Sequence, residues 1–223
     1  MKTIVVTGTS TGIGYEICTQ AAKLRYNVIS ISRNIEPLSK VDGIESHSVD
    51  ITDKKSVSDF VEDLSKRNIK IDILINNAGY LSNELFSETS YKSFKDTFDV
   101  NVFGLAEITR SLIPLINKTG HVINISSIGG VNGSKKFPGL SVYSSSKAAV
   151  IALTEVLSEE YSDGPSFNVL ALGAVQTKML KEAFPDYNAD TNPDEMAKYI
   201  IDFALNGSKL FNGKLISVSN SNP

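Results

Sequence analysis

The chain alternates between short runs of β-branched and aliphatic residues and longer segments in which apolar residues recur every three or four positions. Uninterrupted Val, Ile and Leu runs are typical of strands buried on both faces of a parallel sheet, whereas the longer spacing is typical of amphipathic helices. The segments predicted as strands are residues 3–7, 27–32, 44–49, 71–76, 121–126, 167–172 and 214–218. The segments predicted as helices are residues 14–25, 56–68, 91–117, 142–161 and 193–206. This alternation predicts an α/β fold built from βαβ units on a parallel sheet.

The pattern continues from end to end without an internal repeat, a low-complexity tract or a Pro/Ser-rich linker. We therefore expect a single domain over residues 1–223. The last predicted strand is followed only by the polar residues 219–223, which are expected to form a frayed tail.

Composition excludes several classes of protein. The 223 residues carry 22 Lys+Arg and 25 Asp+Glu, a net charge of −3, with no cluster of basic residues, which argues against a nucleic-acid surface. Lys135-Lys136 is interpreted as solvated loop charge. No apolar run is long enough to span a bilayer. Since Cys18 is the one cysteine and no secretory signal is recognisable, a reducing, cytoplasmic setting is expected.

A glycine-rich turn links the first predicted strand to the first predicted helix and reads Thr7-Gly8-Thr9-Ser10-Thr11-Gly12-Ile13-Gly14. Such a turn lets the backbone approach a pyrophosphate, and the positive end of the helix dipole favours the anion. The alternative is that a tight strand-to-helix connection simply needs glycine. The spacing also departs from G-x-G-x-x-G. The position of the turn favours a dinucleotide site.

The end of the second predicted strand bears on the choice of dinucleotide. NAD sites usually place Asp or Glu on the ribose about 20 residues past the turn, but here Ser32-Arg33 stands there. A guanidinium beside a hydroxyl suits a 2′-phosphate, so NADP(H) is favoured over NAD(H). Arg33 as a solvated loop residue is the alternative.

Tyr143 and Lys147 lie four positions apart at the start of a predicted helix, on one helix face. A nearby ammonium favours a phenolate and lowers its pKa, so the pair suits acid–base chemistry. Tyr-x-x-x-Lys alone is a weak signal. Polar residues at or beside predicted strand ends strengthen it, namely residues 76–79, Asn101 and residues 124–130. Because parallel strands end at one edge, these groups are expected to converge at the edge that the glycine turn faces.

Together these motifs resemble those of the short-chain dehydrogenase/reductase family, in the form carried by its smaller cytosolic members. The resemblance covers nearly the whole chain: the TGxxxGIG turn, Asp50-Ile51, NNAG at 76–79, Asn101, a serine at a strand end and YxxxK at 143–147. It implies a Rossmann-type, doubly wound, seven-stranded parallel sheet in the order 3-2-1-4-5-6-7 with helices on both faces. It also implies hydride transfer between a nicotinamide dinucleotide and a carbonyl or alcohol.

By this resemblance Tyr143 protonates the carbonyl oxygen, Lys147 holds the nicotinamide ribose and lowers the tyrosine pKa, and Asn101 orients Lys147 through water. Ser127 fixes the substrate carbonyl, because the family serine precedes a Ser-x-x-Gly stretch; its neighbour Ser126 stays an alternative. Further positions match family contacts to the dinucleotide: Gly8, Thr9, Ser10, Gly12, Ile13 and Gly14 in the turn, Asp50 and Ile51 at the adenine, Asn77, Ala78 and Gly79 at the adenosine ribose, and Gly173, Val175 and Thr177 after the sixth strand.

The chain departs from the family pattern at three places. Leu172-Gly173 replaces Pro-Gly, which frees a φ angle. The stretch from Ser127 to Tyr143 is slightly long and carries Lys135 and Lys136. Residues 178–192 form only a short substrate-covering segment, which favours a small or open-ended carbonyl substrate. Its apolar residues could close an apolar pocket, although such residues at helical spacing are more often ordinary packing against the domain; they are Met179, Leu180, Ala183, Phe184 and Tyr187.

Other residues suggest little chemistry. His47 and His121 are too few and too far apart to indicate a metal site, and none is predicted. His121 is expected to be exposed at the sheet edge opposite the site, and Cys18 to be a buried, inert thiol. By family resemblance a homodimer or homotetramer is expected to bury helices 91–117 and 142–161. Apolar positions available for this are Phe98, Val102, Leu105, Leu153 and Leu157.

Three functions remain open from the sequence. The first is an NADPH-dependent reductase of small carbonyl compounds. The second is a 3-oxoacyl-thioester reductase, for which Lys135-Lys136 is thin support. The third is a non-catalytic dinucleotide-binding regulator, which would not need the proton donor that Tyr143 represents.

Overall fold

The computed structural model describes residues 1–220, and within them seven parallel strands form one sheet in the order β3-β2-β1-β4-β5-β6-β7. The strands are β1 (Thr3–Thr7), β2 (Asn27–Ser32), β3 (Ile44–Ser48), β4 (Ile71–Asn76), β5 (Ile116–Ser127), β6 (Ser166–Leu172) and β7 (Lys214–Val218). Since β1 pairs with both β2 and β4, the strand order reverses there and a crevice opens at the carboxyl ends of β1 and β4. The predicted doubly wound order is confirmed.

Helices cover both faces of the sheet. They are α1 (Gly12–Lys23), α2 (Lys54–Lys66), α3 (Tyr91–Phe98), α4 (Leu105–Leu112), α5 (Ser141–Glu160), α6 (Lys178–Ala183) and α7 (Pro193–Asn206). Alternate residues of β1 serve opposite layers: Ile4 and Val6 pack in one core cluster with α1 and α7, whereas Val5 packs in another with α2 and α4. This two-sided burial explains the unbroken aliphatic runs of the inner strands.

The predicted helix over residues 91–117 is interrupted. After α3 the backbone forms a π-helical turn, Asp99–Gly104, which leads into α4 and then a single 3-10 turn, Ile113–Leu115. The predicted end of this helix is wrong, because Ile116 and Asn117 already belong to β5. Ile116 pairs with Ile71, and the register of the two strands shifts after this pair. Because polar residues follow Ile116, the hydrophobic pattern does not show that the strand begins there.

The outermost strand β3 carries an ion-pair cluster. Arg67 donates to both Glu45 carboxylate oxygens (2.5 and 2.8 Å) and to Asp63 (2.9 Å), and His47 Nε2 lies 2.7 Å from Glu45. The Arg67 hydrogen bonds lower the pKa of Glu45 to about 2. Glu45, Asp63 and His47 therefore surround the Arg67 guanidinium. That these side chains bind no metal ion stays a prediction.

The expected exposure of His121 is wrong. Its side chain is 2% exposed, with Nδ1 3.1 Å from the Ala204 carbonyl and Nε2 2.9 Å from the Asn168 amide nitrogen. Burial lowers its pKa to about 4. The end of α7, including the Phe203 ring 5.5 Å away, covers this part of β5, and strand periodicity alone does not reveal such a distant partner.

Cys18 is buried, as expected, and burial raises the pKa of its thiol. None of the helices in the described range has the length and apolar composition to cross a bilayer. The expected frayed tail, residues 219–223, extends outside the described residues, since 221–223 are not among them. Ser219 lies beside Gly173: a Cβ added to Gly173 would lie 2.7 Å from the Ser219 hydroxyl.

Candidate functional site

The glycine turn between β1 and α1 packs tightly against the segment after β4. Gly8 has a φ of +72°, and a Cβ there would lie 2.6 Å from Ala78 Cα. A Cβ on Gly14 would overlap the Gly8 carbonyl and the Asn77 amide. Glycine is therefore required at both positions, for the backbone conformation at the first and for close approach at the second.

Thr7 and Asn77 fix this contact. Thr7 Oγ1 accepts hydrogen bonds from the amides of Asn77 (3.1 Å) and Ala78 (3.0 Å). The Asn77 side chain donates in return to the carbonyls of Thr7 (3.1 Å) and Gly8 (3.0 Å). Asn77 and Ala78, which the sequence assigns to the cofactor, thus also hold the turn in place.

The turn has features that a pyrophosphate needs. The first amides of a helix lack internal acceptors and carry the positive end of the dipole, and at α1 the N-cap residue Thr11 makes no side-chain capping bond. Thr9 is 1% exposed, and its Oγ1 has no hydrogen-bond partner among residues 1–220. Together these groups fit a bound dinucleotide. Ser10 and Ile13 are half-buried in the same turn.

Arg33 lies exposed after β2, and within the described range its guanidinium has no hydrogen-bond or ion-pair partner. The hydroxyl of Ser32 donates to the Asn34 carbonyl (2.6 Å). Asp50, at the neighbouring strand end, accepts from the amide (2.9 Å) and hydroxyl (2.7 Å) of Thr52. Arg33 is accordingly a free cation at the edge where the sequence places the adenosine.

Ser127 and Tyr143 meet at the end of β5. The Ser127 hydroxyl lies near enough to the Tyr143 phenol to favour the phenolate, and Ser127 Oγ accepts a hydrogen bond from the Gly129 amide (3.2 Å). Burial raises the pKa of Tyr143 to about 12, while the nearby Ser127 hydroxyl acts in the opposite direction. The pKa of Tyr143 is thus raised overall, because loss of solvent outweighs the contribution of Ser127, and the expected lowering of this pKa by Lys147 stays a prediction.

Lys147 is 3% exposed. Its Nζ donates to the Ile125 carbonyl (3.0 Å) and lies 5.7 Å from the centroid of the Tyr143 ring. Burial lowers its pKa to about 8. The structure thus brings Lys147 beside the phenol, as the helical spacing predicts.

Asn101 occupies the π-helical turn and is fully buried. Its Oδ1 accepts from the Tyr80 amide (2.7 Å), and its Nδ2 donates to the Tyr80 carbonyl (2.9 Å) and to Ser146 Oγ (2.9 Å). Ser146 precedes Lys147, so Asn101 connects α5 to the segment after β4. Asn101 Oδ1 and Lys147 Nζ also flank Gly79, 3.6 and 3.5 Å from an added Cβ. The widened turn, a feature frequent at functional sites, carries a residue that the sequence had already singled out.

Two asparagines do not reach the site. Asn76 and Asn124 are buried (1% and 0% exposed), and Asn76 donates to Asn124 Oδ1 and Thr109 Oγ1, both at 2.8 Å. Asn124 donates in turn to Thr154 Oγ1 (2.8 Å). Their expected convergence on the open edge is wrong, because they form a polar row that joins β4 and β5 to α4 and α5.

Ser126, the alternative to Ser127, has a different environment. It is 3% exposed, and its hydroxyl donates to the Lys147 carbonyl (2.8 Å). Successive residues of a strand point to opposite faces, so Ser126 ties β5 to α5 while Ser127 meets the phenol. Sequence reasoning missed this supporting role of Ser126, as it missed Ser146.

After β6, the segment with Leu172-Gly173 is held by backbone bonds. The Gly173 amide donates to the Val218 carbonyl (2.9 Å), and Val175, 5% exposed, bridges to Thr191. Thr177 caps α6 through a bond from the Leu180 amide (3.2 Å). The order of this segment thus does not depend on the missing proline.

Ile51 is 8% exposed and packs against the π-helical turn, where a Cβ on Gly104 would lie 2.9 Å from its side chain. A pocket of about 420 Å³ lies between the glycine turn and α6. Its lining residues come from the turn, the segment after β4 and α6: Thr11, Tyr80, Leu81, Asn83, Lys178, Met179, Glu182 and Ala183. This is the place where the sequence expects a short covering segment.

Comparison with known proteins gives consistent matches. The model of the family described as short chain dehydrogenase matches residues 2–188. An uncharacterized oxidoreductase of Staphylococcus saprophyticus is 30% identical over 212 residues, which cover 90% of this chain and 89% of the relative. A 3-oxoacyl-[acyl-carrier-protein] reductase of Thermotoga maritima is 27% identical over 239 residues, covering 97% and 96%.

Solved structures match equally well. ElxO with bound NADP superposes with a TM-score of 0.84 at 27% identity, covering 97% of this chain and 96% of that one. A 4-hydroxyisoleucine dehydrogenase complexed with NADH gives a TM-score of 0.88 at 21% identity, covering 99% and 98%. At 21% identity, the match to the second structure shows similarity of fold alone.

Proposed function

The chain belongs to the short-chain dehydrogenase family, and from that premise we propose that it is an NADPH-dependent reductase of small carbonyl compounds. The observation that carries the proposal is the placement of the Ser127 hydroxyl and the Tyr143 phenol together, with Lys147 Nζ 5.7 Å from the centroid of the phenol ring. A proton donor, a second hydroxyl and a cation in one place are what a carbonyl oxygen needs as it becomes an alcohol.

A bound NADPH would supply the hydride for the carbonyl carbon and would leave as NADP+. Ser127 donates a hydrogen bond to the carbonyl oxygen and holds it near Tyr143. Tyr143, whose pKa of about 12 keeps it protonated at neutral pH, transfers its phenolic proton to that oxygen. The product is an alcohol, and a solvent proton restores the phenol.

Lys147 stabilises the phenolate that remains after proton transfer. With a pKa of about 8, it is largely protonated at neutral pH. Asn101 acts here by fixing Ser146, and with it the first turns of α5, through a 2.9 Å hydrogen bond. Residues on three separate elements thus keep the proton donor and the cation together.

Residues of the turn and of the neighbouring strand ends would hold the cofactor. The unpaired amides at the start of α1 suit the pyrophosphate, with Thr9 Oγ1 as a further group in need of a partner. Arg33 and Ser32 suit a 2′-phosphate. Asp50, Ile51, Asn77, Ala78, Gly79, Gly173, Val175 and Thr177 complete the proposed cofactor-binding set.

The cofactor assignment is tested by titrating the purified protein with NADPH and with NADH and following the fluorescence of the reduced cofactor, which no tryptophan complicates. We expect NADPH to bind at least about tenfold more tightly, since a charge-assisted pair contributes about 1.5–3 kcal/mol. Arg33→Ala should remove that preference and leave NADH affinity unchanged. Equal binding of both cofactors to the wild type would overturn the NADP(H) assignment, and no binding of either would overturn the reductase.

Tyr143→Phe tests the chemistry separately. Loss of the proton donor should lower kcat by about 10²–10⁴-fold while NADPH affinity stays within about twofold. Unchanged turnover would refute the mechanism.

A second candidate is a 3-oxoacyl-thioester reductase. The observation that favours it is the alignment of nearly the full chain with the Thermotoga maritima enzyme. A substrate panel with small aldehydes, diketones and a 3-oxoacyl thioester separates the two, because the short α6 favours the small compounds. A higher kcat/KM for the thioester would select the second candidate.

We further propose a cytoplasmic homodimer or homotetramer. The outer surface of the α3–α4 region and α5 exposes Phe103 (61%) and Val156 (53%), and such side chains are typical of buried interfaces. Of the positions that the sequence suggested, Leu105 is excluded, because it is 2% exposed within the chain.

A further inference from the structure

Helix α6 lies over the pocket without an anchor in the core. None of its six residues, all of them described, is buried, so its position depends on contacts at its two ends. At its first end Thr177 caps the helix and approaches the glycine turn, 3.4 Å from a Cβ placed on Gly12.

At its last end α6 is held by one side chain from a distant segment. Asn83 Nδ2 donates a 2.7 Å hydrogen bond to the carbonyl of Ala183. The last carbonyls of a helix have no donor within it, so Asn83 supplies the donor that the Ala183 carbonyl lacks. Asn83 also lines the pocket together with Ala183.

The segment that carries Asn83 is firmly placed. Asn101 binds both backbone groups of Tyr80, at 2.7 and 2.9 Å. Ser93, in α3, donates to the Glu84 carboxylate at 3.0 Å. Asn83 therefore projects from a fixed support that is shared with the proposed catalytic residues.

The loop before α5 leaves room for the Asn83 amide. The Glu84 amide donates to the Gly139 carbonyl (3.0 Å), and Gly139 has a φ of +87°. A Cβ at Gly139 would overlap Asn83 Oδ1. Three segments, namely the loop before α5, the segment after β4 and α6, thus meet at Asn83, and the last two of them line the pocket.

We propose that Asn83 is a positioning residue that latches α6 over the pocket and thereby sets how tightly the carbonyl substrate is held. The identity of the pocket as the substrate site rests on the proposed function, whereas the latch rests on the contacts of Asn83 alone. A single exposed hydrogen bond changes an equilibrium by about three- to tenfold, so its loss should open α6 without unfolding the chain.

Limited digestion with trypsin measures how often α6 opens and does not depend on enzyme activity. Lys178 and Lys181 lie in α6, and cleavage after them requires the helix to unwind locally, which the loss of a contact at its end favours. Asn83→Ala, which removes the amide, and Asn83→Asp, which replaces the donor with a charged acceptor, should both speed cleavage at these two lysines by at least about three- to tenfold. Asn188→Ala is the matched control, since Asn188 is exposed beyond α6 and makes no hydrogen bond within the described range.

Steady-state kinetics then separate an effect on substrate binding from an effect on the stability of the chain. The Asn83 variants should raise KM for the carbonyl substrate by a similar factor, with kcat and NADPH affinity within about twofold. Unchanged cleavage at Lys178 and Lys181 would overturn the latch, and faster cleavage with unchanged KM would overturn its role in holding substrate. If the wild type bound no NADPH, the proposed function would be wrong, but the cleavage rates would still show whether Asn83 holds α6 in place.

Discussion

Lys147 carries a positive charge in an almost fully buried position, and this placement disfavours the folded state. Its pKa of about 8 lies below the ordinary 10.5, so the charged form is penalised by up to about 3 kcal/mol. Below pH 8 the side chain is charged in both the folded and the unfolded chain, and the penalty is complete. As pH rises from 8 to 10.5 the folded state loses the proton first, and the penalty fades.

Lys147→Met should therefore stabilise the protein at pH 7 while it abolishes turnover. The lost bond to the Ile125 carbonyl offsets part of the gain, which leaves about 1–2 kcal/mol. Urea unfolding at pH 7 and pH 10 measures the effect, and the advantage of the variant should shrink at the higher pH. Lys181→Met, at an exposed site, is the control and should show no such pH dependence; a Lys147→Met protein that is less stable than wild type at pH 7 contradicts the argument.

At the residue scale the sequence predicts which side chains meet better than it predicts their protonation. The four-residue spacing of Tyr143 and Lys147 brings them together as expected. The direction of the Tyr143 pKa depends on how much solvent the fold removes, and no local pattern contains that information. Asn76 and Asn124 fail as site residues for the same reason, since their partners lie on distant strands and helices.

Because side chains alternate between the two faces of β5, Ser126 and Ser127 at its end have different roles. Ser126→Ala removes a buried hydrogen bond to α5 and should lower the free energy of unfolding by about 1–2 kcal/mol, with kcat within about threefold. Ser127→Ala removes the group that holds the carbonyl oxygen and should lower kcat by about 10²–10³-fold, with stability within about 0.5 kcal/mol. Denaturant unfolding and steady-state kinetics on both variants check this, and a reversed pattern would reassign the two serines.

At the element scale the strands of the inner sheet are predicted closely, because their aliphatic runs are both the signal and the cause of burial. The region 91–117 is not. Apolar spacing does not distinguish an α-helix from a π-helical turn such as Asp99–Gly104, since both place apolar residues on one side. The start of β5 at Ile116 depends on pairing with Ile71, a contact between distant parts of the chain.

At the scale of the whole molecule, the proposed oligomer predicts a change of mass. Phe103→Glu places a charge on the exposed α3–α4 surface, and burying it unpaired would be costly. The sedimentation mass should fall by half relative to wild type, whereas Leu24→Glu, on the exposed end of α1, should leave it unchanged. A wild-type protein that sediments as a monomer would refute the oligomer.

His121 predicts how the whole fold responds to acid. Its neutral form suits its neighbours, with Nδ1–H donating to the Ala204 carbonyl and Nε2 accepting from Asn168. Because the folded pKa of about 4 lies below the ordinary 6.5, the stability that this residue contributes is complete above pH 6.5 and is lost as pH falls toward 4. The loss amounts to about 3 kcal/mol.

Unfolding measured between pH 7 and pH 4 on wild type and His121→Gln tests this, since Gln keeps one donor and one acceptor. The variant should lose about 2–3 kcal/mol less than wild type over that range. Parallel curves for the two proteins would assign acid sensitivity to other groups.

The sheet order follows from the family resemblance, because its motifs occupy defined strand ends, yet the same motifs say nothing about what covers the far end of the sheet. The burial of His121 beneath α7 is a property of the assembled fold. Predictions from local pattern therefore hold best where a segment determines its own environment, as in β1 and β4, and fail where another layer does.

The ion-pair cluster on β3 bears on aggregation. An outermost strand presents unpaired backbone groups to which a strand of another molecule can add, and charged side chains on such a strand oppose that addition. Arg67 keeps Glu45 ionised down to a pH of about 2, well below the range in which His121 begins to weaken the fold. The edge of the sheet thus remains charged even as acid destabilises the molecule, when protection from intermolecular strand pairing matters most.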